Sequence, residues 1–533
     1  MAIIKGFSMM GGKGVKFVAQ KEEPRLYKFR AWHVIILILL IAFALRLVLL
    51  FQPEVIHNDG TEYIREAKEV LAGNWMGGKS GPVYPILIAL VYYTFIKNYE
   101  LAGILVSVIF GTLLVLPVFY LGKEIFGEKV GVLSGLVVAV QRFLHTPSGS
   151  VLTEATYHFF IATTVLFGWR AFSQGKFHTV LLFSLFVSLA YMTRPEGIGF
   201  LFVFFIWVLL INPPEGKRVW KKRVGIVLLA VFCFLLFSSP YLIQLRKELG
   251  RWQIAKKAFF SIGSLSKEER ISLKAAGVKE KINLLGLIKK PMALLGKIGG
   301  GLLESFYGFF QTFNPILFLL AILGWIKIFK MKSSYTFKAN YYILSHHLFF
   351  FAFVLPFFWI ERRYVSQMVS ISIPWAALGC LEVAGWLHRW VEKESLRKKI
   401  SLILLLLLLG GLLIQGRVTH PRDIRIIRKE TGLWMKGHLP RGAKIMSRFP
   451  QEAFYAELPW VPIGIPVKSY EEILSEARSK RVRYLIIDRS IEKDSPGFSE
   501  KIKEEDLILL KEFKDKDRRM IVFEILYPEK KEP

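Results

Sequence analysis

Apolar blocks of helix length recur along most of this chain, at 31–52, 100–122, 129–145, 154–172, 177–193, 197–212, 224–244, 306–329, 338–360, 365–388 and 399–415. A bilayer core about 30 Å thick takes roughly 20 helical residues to cross. Backbone inside it must satisfy its own hydrogen bonds, so repeated blocks of this kind fold as helices. Hydrophobic residues are 53% of the 533, more than a soluble protein of this length could hide. The pattern predicts a polytopic α-helical membrane protein with about eleven transmembrane helices, followed by a soluble α/β domain at 417–533.

A formal charge of +30 raises nucleic acid as a partner. Nucleic-acid readers gather Lys and Arg on a folded soluble face. Here much of the excess sits in short loops beside apolar blocks, where it meets anionic headgroups and fixes orientation. The expected partners are therefore membrane lipids and not nucleic acid. Cys233 and Cys380 both lie inside apolar runs, which argues against a disulfide framework or a thiolate metal site. Residues 1–30 are basic, and the block after them is too long for a signal-peptide core. It reads as an anchor that stays.

One short segment, 82–97, decides the sidedness of everything after it. If it does not span, KEIFGEK (123–129), KRVWKK (217–222), KIFKMKSSYTFK (327–338) and HRWVEKESLRKK (388–399) share a side with the N-terminus. That arrangement obeys the positive-inside rule, and the alternative inverts it. Residues 1–30 are then cytoplasmic, 31–416 form the membrane module, and 53–99 is an outer loop with juxtamembrane helices. The loop 245–305 is an outer one with amphipathic stretches, and the domain 417–533 is extracytoplasmic in a multi-pass protein of the cytoplasmic membrane. In that domain RDIRIIRKETGLWMKGHL and SYEEILSEARSK have helical periodicity, whereas AKIMSR, VRYLIIDR and MIVFEIL read as strands.

Ionisable residues beside a membrane are expensive, so each is a functional candidate. Four outer corners collect them. HNDGTEYIREAKEVLAGNW (57–75) carries Asp59 and Glu62 at the start of an amphipathic helix, where Asp59 could also be a simple cap. HTPSGSVLTEATY (145–157) places Glu154 at a helix start, again an ordinary capping position. YMTRPEGIGF (191–200) sets Arg194 and Glu196 around Pro195, a pair that could neutralise itself. FFWIERRYVSQ (357–367) holds Glu361, Arg362, Arg363 and Tyr364, where snorkelling would account for the arginines. Taken together, carboxylates can act as base or hold a divalent metal, and arginines suit a phosphate. His346 and His347 read as neutral residues packed between helices. No phosphate-loop, zincin or serine-elbow motif is present.

At these residues the chain resembles the GT-C superfamily of polyprenyl-phosphate-sugar-dependent glycosyltransferases, near the protein O-mannosyltransferase and lipid A aminoarabinose transferase groups. HNDGTEYIREAKEVLAGNW is similar to their first outer loop, GPVYPILIALVYYTF to the juxtamembrane helix after it, and VLTEATY to their second acidic loop. YMTRPEG and ERRYVSQMVSISIPW resemble their later basic corners. The likeness runs over roughly 30–415. It implies a sugar moved from a polyprenyl-phosphate donor to a glycan, lipid or protein acceptor on the outer face. Asp59 would be the catalytic carboxylate and Glu154 the second acid. Arg194, Arg363 and Tyr364 would hold donor phosphate, with His57, Glu62, Glu196 and Arg362 in support. Many relatives carry two adjacent acids after the first span, whereas Gly60 follows Asp59 here, so a metal-bridged pair is doubtful and metal stays open.

A multi-span lipid or solute transporter or flippase would also carry intramembrane charges, and is the alternative from another class. Charges gathered at one surface and the lack of a visible inverted repeat weigh against it. A membrane-anchored sensor would not need eleven spans.

Overall fold

The computed structural model describes residues 25–51, 55–75, 80–211, 217–256, 291–331, 333–357, 362–418, 426–464, 469–495, 497–515 and 518–527. The basic N-terminus, most of the amphipathic loop and Glu361 lie outside them. Helix α1 (Arg25–Leu47) leads through a short 3-10 turn to α2 (Asn58–Leu71) and α3 (Val83–Thr94). Then come α4 (Tyr99–Leu113), α5 (Val115–Phe126), α6 (Glu128–Val140), the single turn α7 (Arg142–His145), α8 (Glu154–Gln174), α9 (Phe177–Thr193), α10 (Gly199–Leu209) and α11 (Lys217–Leu249). After 257–290 follow α12 (Pro291–Phe313), α13 (Pro315–Lys330), α14 (Ser334–Phe349), the short α15 (Arg362–Val365), α16 (Gln367–His388) and α17 (Glu394–Val418).

Among the described residues, each apolar block falls largely on helix. By length and composition, however, five of the described helices can cross a membrane, or seven if each of two bent pairs is one span. The reasons for falling short of eleven differ. Helices α9 and α10, at 17 and 11 residues, are short. Helix α8 has the length, but its buried face carries Glu154, Thr156, His158, Thr163 and Thr164 and lowers its hydropathy. Helix α3 has 12 residues, about 18 Å of rise, well under a bilayer core. It packs against α2 and α4.

Two blocks read as straight spans are broken. The chain turns by 71° between α6 and α7, and by 101° between α12 and α13. Neither break needs proline within a helix. At the first, Gln141 caps α7 by accepting from Leu144 N at 3.0 Å, and its amide donates to Thr312 O at 2.8 Å. At the second, Asn314 takes φ 85 and caps α13 by accepting from Ile316 N at 2.7 Å. Asparagine tolerates that left-handed backbone better than most residues. The two breaks are thus tied together.

Arg46, fully buried at the end of α1, holds the first break from the other side. It donates to Val138 O at 3.2 Å, Ala139 O at 3.4 Å, Leu144 O at 3.1 Å and Ser148 Oγ at 3.2 Å. These carbonyls are the ones that a helix end leaves without intrahelical donors. Elsewhere the helices meet through small residues. A Cβ on Gly379 of α16 would lie 1.8 Å from Leu320 O of α13, so that crossing admits only glycine.

The C-terminal domain, from α18 (Ile426–His438), holds a five-stranded sheet in the order β2-β1-β3-β5-β4. Strands β1 (Ile445–Ser447), β2 (Trp460–Pro462) and β3 (Tyr484–Asp488) are parallel, while β4 (Leu507–Asp515) and β5 (Arg518–Ile525) are antiparallel. Helix α20 (Tyr470–Ser479) packs with Leu485 and Ile487 on one face, and α18 with Ile486 and Val522 on the other. β3 is therefore apolar on both sides, as central strands are. Helix α20 starts with a capping box between Ser469 and Glu472. Strands β2 and β4, and the helix α19 (Gln451–Ala456), are additions to the elements expected from sequence.

The domain docks through α19. Tyr455 is buried among the residues of α2, α3 and α4, where its hydroxyl accepts from Ile56 N at 2.9 Å and donates to Glu100 Oε1 at 2.9 Å. It thus sits at the end of the bundle where the chain turns into α2. Replacement Arg46→Met leaves at least three buried carbonyls without a donor, each costing about 1–3 kcal/mol. The detergent-solubilised variant is expected to melt several degrees lower, as followed by intrinsic fluorescence.

Candidate active site

Four corners of the membrane module converge at this end. Each contributes through its own local geometry. His57, and not Asp59, caps α2, with Nδ1 accepting from Asp59 N at 3.2 Å. The Asp59 carboxylate reaches across the bundle, where it accepts from Arg363 Nη1 at 2.6 Å. Glycine at 60 is what lets α2 approach: a Cβ there would meet Val151 O at 2.9 Å and Ile56 Cγ1 at 2.8 Å. A second acid beside Asp59 has no room in this packing.

Glu154 opens α8 and is 3% exposed, too buried for a mere cap. The preceding Thr153 makes no side-chain cap either. Glu154 Oε1 is 3.4 Å from Arg194 Nη1 and 3.9 Å from Arg363 Nη1. Arg194 also donates through Nε to Glu196 Oε1 at 2.7 Å. The result is an alternating chain, Glu196–Arg194–Glu154–Arg363–Asp59. Tyr364 lies between the two arginines: its ring is 4.9 Å from the Arg194 guanidinium and 5.1 Å from that of Arg363, and Arg363 Nη2 donates to its hydroxyl at 3.2 Å. Burial works against both cations, yet their pKa values end up raised, Arg194 by Glu196 and Glu154 and Arg363 by Asp59 and Glu154. Both stay charged at any physiological pH.

Two supporting candidates stand elsewhere. Glu62 pairs with Arg65 one turn along α2, at 2.7 Å. Arg362 is exposed and stands near Arg142. His346 and His347 are packed between helices, His347 Nε2 lying 2.7 Å from Ser372 Oγ.

The structure adds residues with no sequence signal of their own, since aromatic, amide and hydroxyl side chains are common inside helix bundles. Tyr63 on α2 is partly buried, and its hydroxyl pKa is raised first by burial of that group and then by the carboxylates of Asp59 and Glu154. Tyr157 presents its ring 5.4 Å from the Arg194 guanidinium. His158 Nε2 is 3.0 Å from Ser366 Oγ, and Ser366 donates to Arg363 O at 2.6 Å, so α8 fixes the arginine's backbone. Glu154 Oε2 and both amide atoms of Gln367, at the start of α16, are buried without a hydrogen-bond partner among the described residues. On α2, Glu66 accepts from Ser80 N at 3.0 Å and holds the chain where Gly81 lies against the carbonyls of Met192 and Thr193.

No group of three His, Cys, Asp or Glu residues that could hold a metal occurs among the described residues. The Arg363 guanidinium lies between Asp59 and Glu154, 2.6 Å from the first and 3.9 Å from the second, in the space a metal shared by the two would need. This donor set does not fit one.

A mostly helical membrane module followed by an α/β domain is the fold this chain shares with GT-C membrane glycosyltransferases. Residues 79–244 match the dolichyl-phosphate-mannose-protein mannosyltransferase family model. That match includes Glu154 and Arg194, and stops short of Asp59 and Arg363. The fold is similar to the archaeal oligosaccharyltransferase AglB from Archaeoglobus fulgidus, solved with an inhibitory peptide and a dolichol-phosphate, at TM-score 0.59 and 13% identity over 88% of this chain and 70% of that one. It is similar also to ArnT from Cupriavidus metallidurans bound to undecaprenyl phosphate, at TM-score 0.59 and 10% identity over 91% and 97% of the two chains. Among curated proteins none matches the sequence. At these identities the likeness establishes the fold, and the fold is GT-C.

Breaking the alternating chain should cost stability before it touches any reaction. Arg194→Met strands Glu154 and Glu196 in a buried setting, for which about 3–5 kcal/mol is the expected loss. Thermal unfolding in detergent measures it. An unchanged melting temperature would show that the pairs are not coupled.

Proposed function

We propose that this protein is a glycosyltransferase that moves a sugar from a polyprenyl-phosphate donor to a glycan, lipid or protein acceptor at the outer face of the cytoplasmic membrane. The observation that carries the reading is the sharing of Arg363 between Asp59 and Glu154 within a GT-C fold. Asp59, about one-third exposed, is the base toward the acceptor hydroxyl. Arg363, Arg194 and Tyr364 hold the donor's phosphate, with Glu154 and Glu196 orienting the arginines. An incoming phosphate competes with Asp59 for the same guanidinium. Donor binding therefore loosens Asp59 from its partner and turns the carboxylate toward the acceptor. Fixed cations beside the departing phosphate stabilise the charge that develops on it, the kind of electrostatic help that dominates many such reactions.

That AglB and ArnT were solved with polyprenyl-type phosphates supports a lipid-phosphate donor here. The outer face has no nucleotide-sugar supply, and a lipid carrier overcomes that limit. The basic loops 123–129, 217–222, 327–338 and 388–399 support the same sidedness. A transporter would need its charges near the midplane of its repeats; here they gather at the end where the soluble domain docks.

Asp59→Asn is expected to lower sugar transfer by about 100-fold or more, with donor binding retained. Arg363→Ala is expected to weaken donor binding far more than acceptor binding. Transfer from a purified polyprenyl-phosphate sugar, read by mass spectrometry of the products, checks both. Parental turnover by Asp59→Asn would sink the assignment of the base. Sidedness is checked by cysteines placed singly in 217–222 and 146–151 of intact cells. An impermeant thiol reagent is expected to label the second set alone, and labelling of the first would reverse the orientation.

A further inference from the structure

The C-terminal domain contains a cavity of about 810 Å³ at the carboxyl end of β3, within the range of small-molecule sites. The cavity lies where β3 ends beside the start of its antiparallel neighbour β5. The walls come from α18, from the residues after β3 and from the start of β5, whose Met520 pairs with Asp488.

The lining carries five basic residues, Arg428, Arg489, Lys493, Arg518 and Arg519, against two acids, Asp488 and Glu492. Both acids are engaged by the protein's own frame. Asp488 caps the turn after β3 by accepting from Ser490 N at 3.1 Å and Ile491 N at 3.3 Å, and pairs with Arg428 at 3.1 Å. Glu492 accepts from Gly497 N at 2.9 Å. Arg428 is 7% exposed, stacked 3.9 Å from the Phe449 ring and held by Gln451 Oε1 at 3.3 Å. Its guanidinium is therefore fixed before any ligand arrives. Ile427 and Met520 add apolar surface.

We infer that this cavity binds an organic anion of sugar size, carrying a phosphate or carboxylate group, at a site separate from the Asp59 centre. Guanidinium groups present planar, permanently charged forks that suit both anions. Apolar floor and volume select against bare inorganic ions. The inference does not rest on the transferase reading, because the lining shares no residue with the membrane site.

The test is thermal unfolding of the full chain in detergent with millimolar glucose 1-phosphate, glucuronic acid or glucose at matched ionic strength. A ligand that binds only the folded state raises the melting temperature. Either anion is expected to raise it by several degrees, and which one does identifies the group recognised; glucose is expected to do nothing. The double variant Arg518→Ser, Arg519→Ser should lose the shift, and Arg363→Ala should keep it. Lys493→Ser, at an exposed position, serves if the double variant is unstable, and should reduce the shift. The inference fails if glucose acts equally, if neither anion shifts the parent, if the cavity variants retain the full shift, or if Arg363→Ala abolishes it.

Discussion

Five charged side chains from four corners of the bundle alternate in sign, Glu196–Arg194–Glu154–Arg363–Asp59, and the packing at this end of the molecule depends on that alternation. No member would be stable there alone. Glu154 and Arg194 are nearly excluded from solvent, where an unpaired charge costs several kcal/mol. Each is tolerable because its neighbour in the chain comes from another corner. The bundle must therefore bring α2, the start of α8, the end of α9 and the α15 turn together before any of these residues is comfortable.

What brings them together is a set of breaks and close approaches with no charge of their own. Arg46, Gln141 and Asn314 satisfy the backbone groups freed where α6 and α12 end. The bend after α6 directs the chain through 146–153 and starts α8 at Glu154. Gly60 lets α2 lie against Val151 of that same segment, which sets Asp59 opposite Arg363. Gly60 is thus a packing requirement of the loop before Glu154. With one carboxylate on α2 and one on α8, it is an arginine that bridges them.

These causes were legible in the sequence to unequal degrees. The corners could be found because charge beside long apolar blocks is costly and therefore conspicuous: Asp59, Glu154, Arg194, Glu196, Arg363 and Tyr364 all meet. Glu62 and Arg362 carry the same signal and point elsewhere, since neighbours in sequence on a helix or turn face different ways. The breaks were hidden because Gln141 and Asn314 are ordinary residues, and only tertiary partners make them caps. Helix α8 has the opposite problem, in that its polar buried face makes a long helix look less like a span. In the soluble domain the central strand β3 was visible from its continuous apolar run. Strand β2, three residues long and mostly exposed, has no such pattern.

The docking of the soluble domain bears on the same centre. Helix α19 is short, and its two ends face different things. Gln451 and Glu452 lie against Arg428 at the cationic cavity, where burial pushes the Glu452 carboxyl up to about 7 despite that arginine. Tyr455, one turn on, grips Ile56 N and Glu100. Ile56 is three residues before Asp59 and directly precedes His57, the cap of α2 that accepts from Asp59 N. A single hydroxyl thus joins the soluble domain to the segment that aims the carboxylate. Through that hydroxyl the domain is part of the geometry of the membrane site and not an appendage to it.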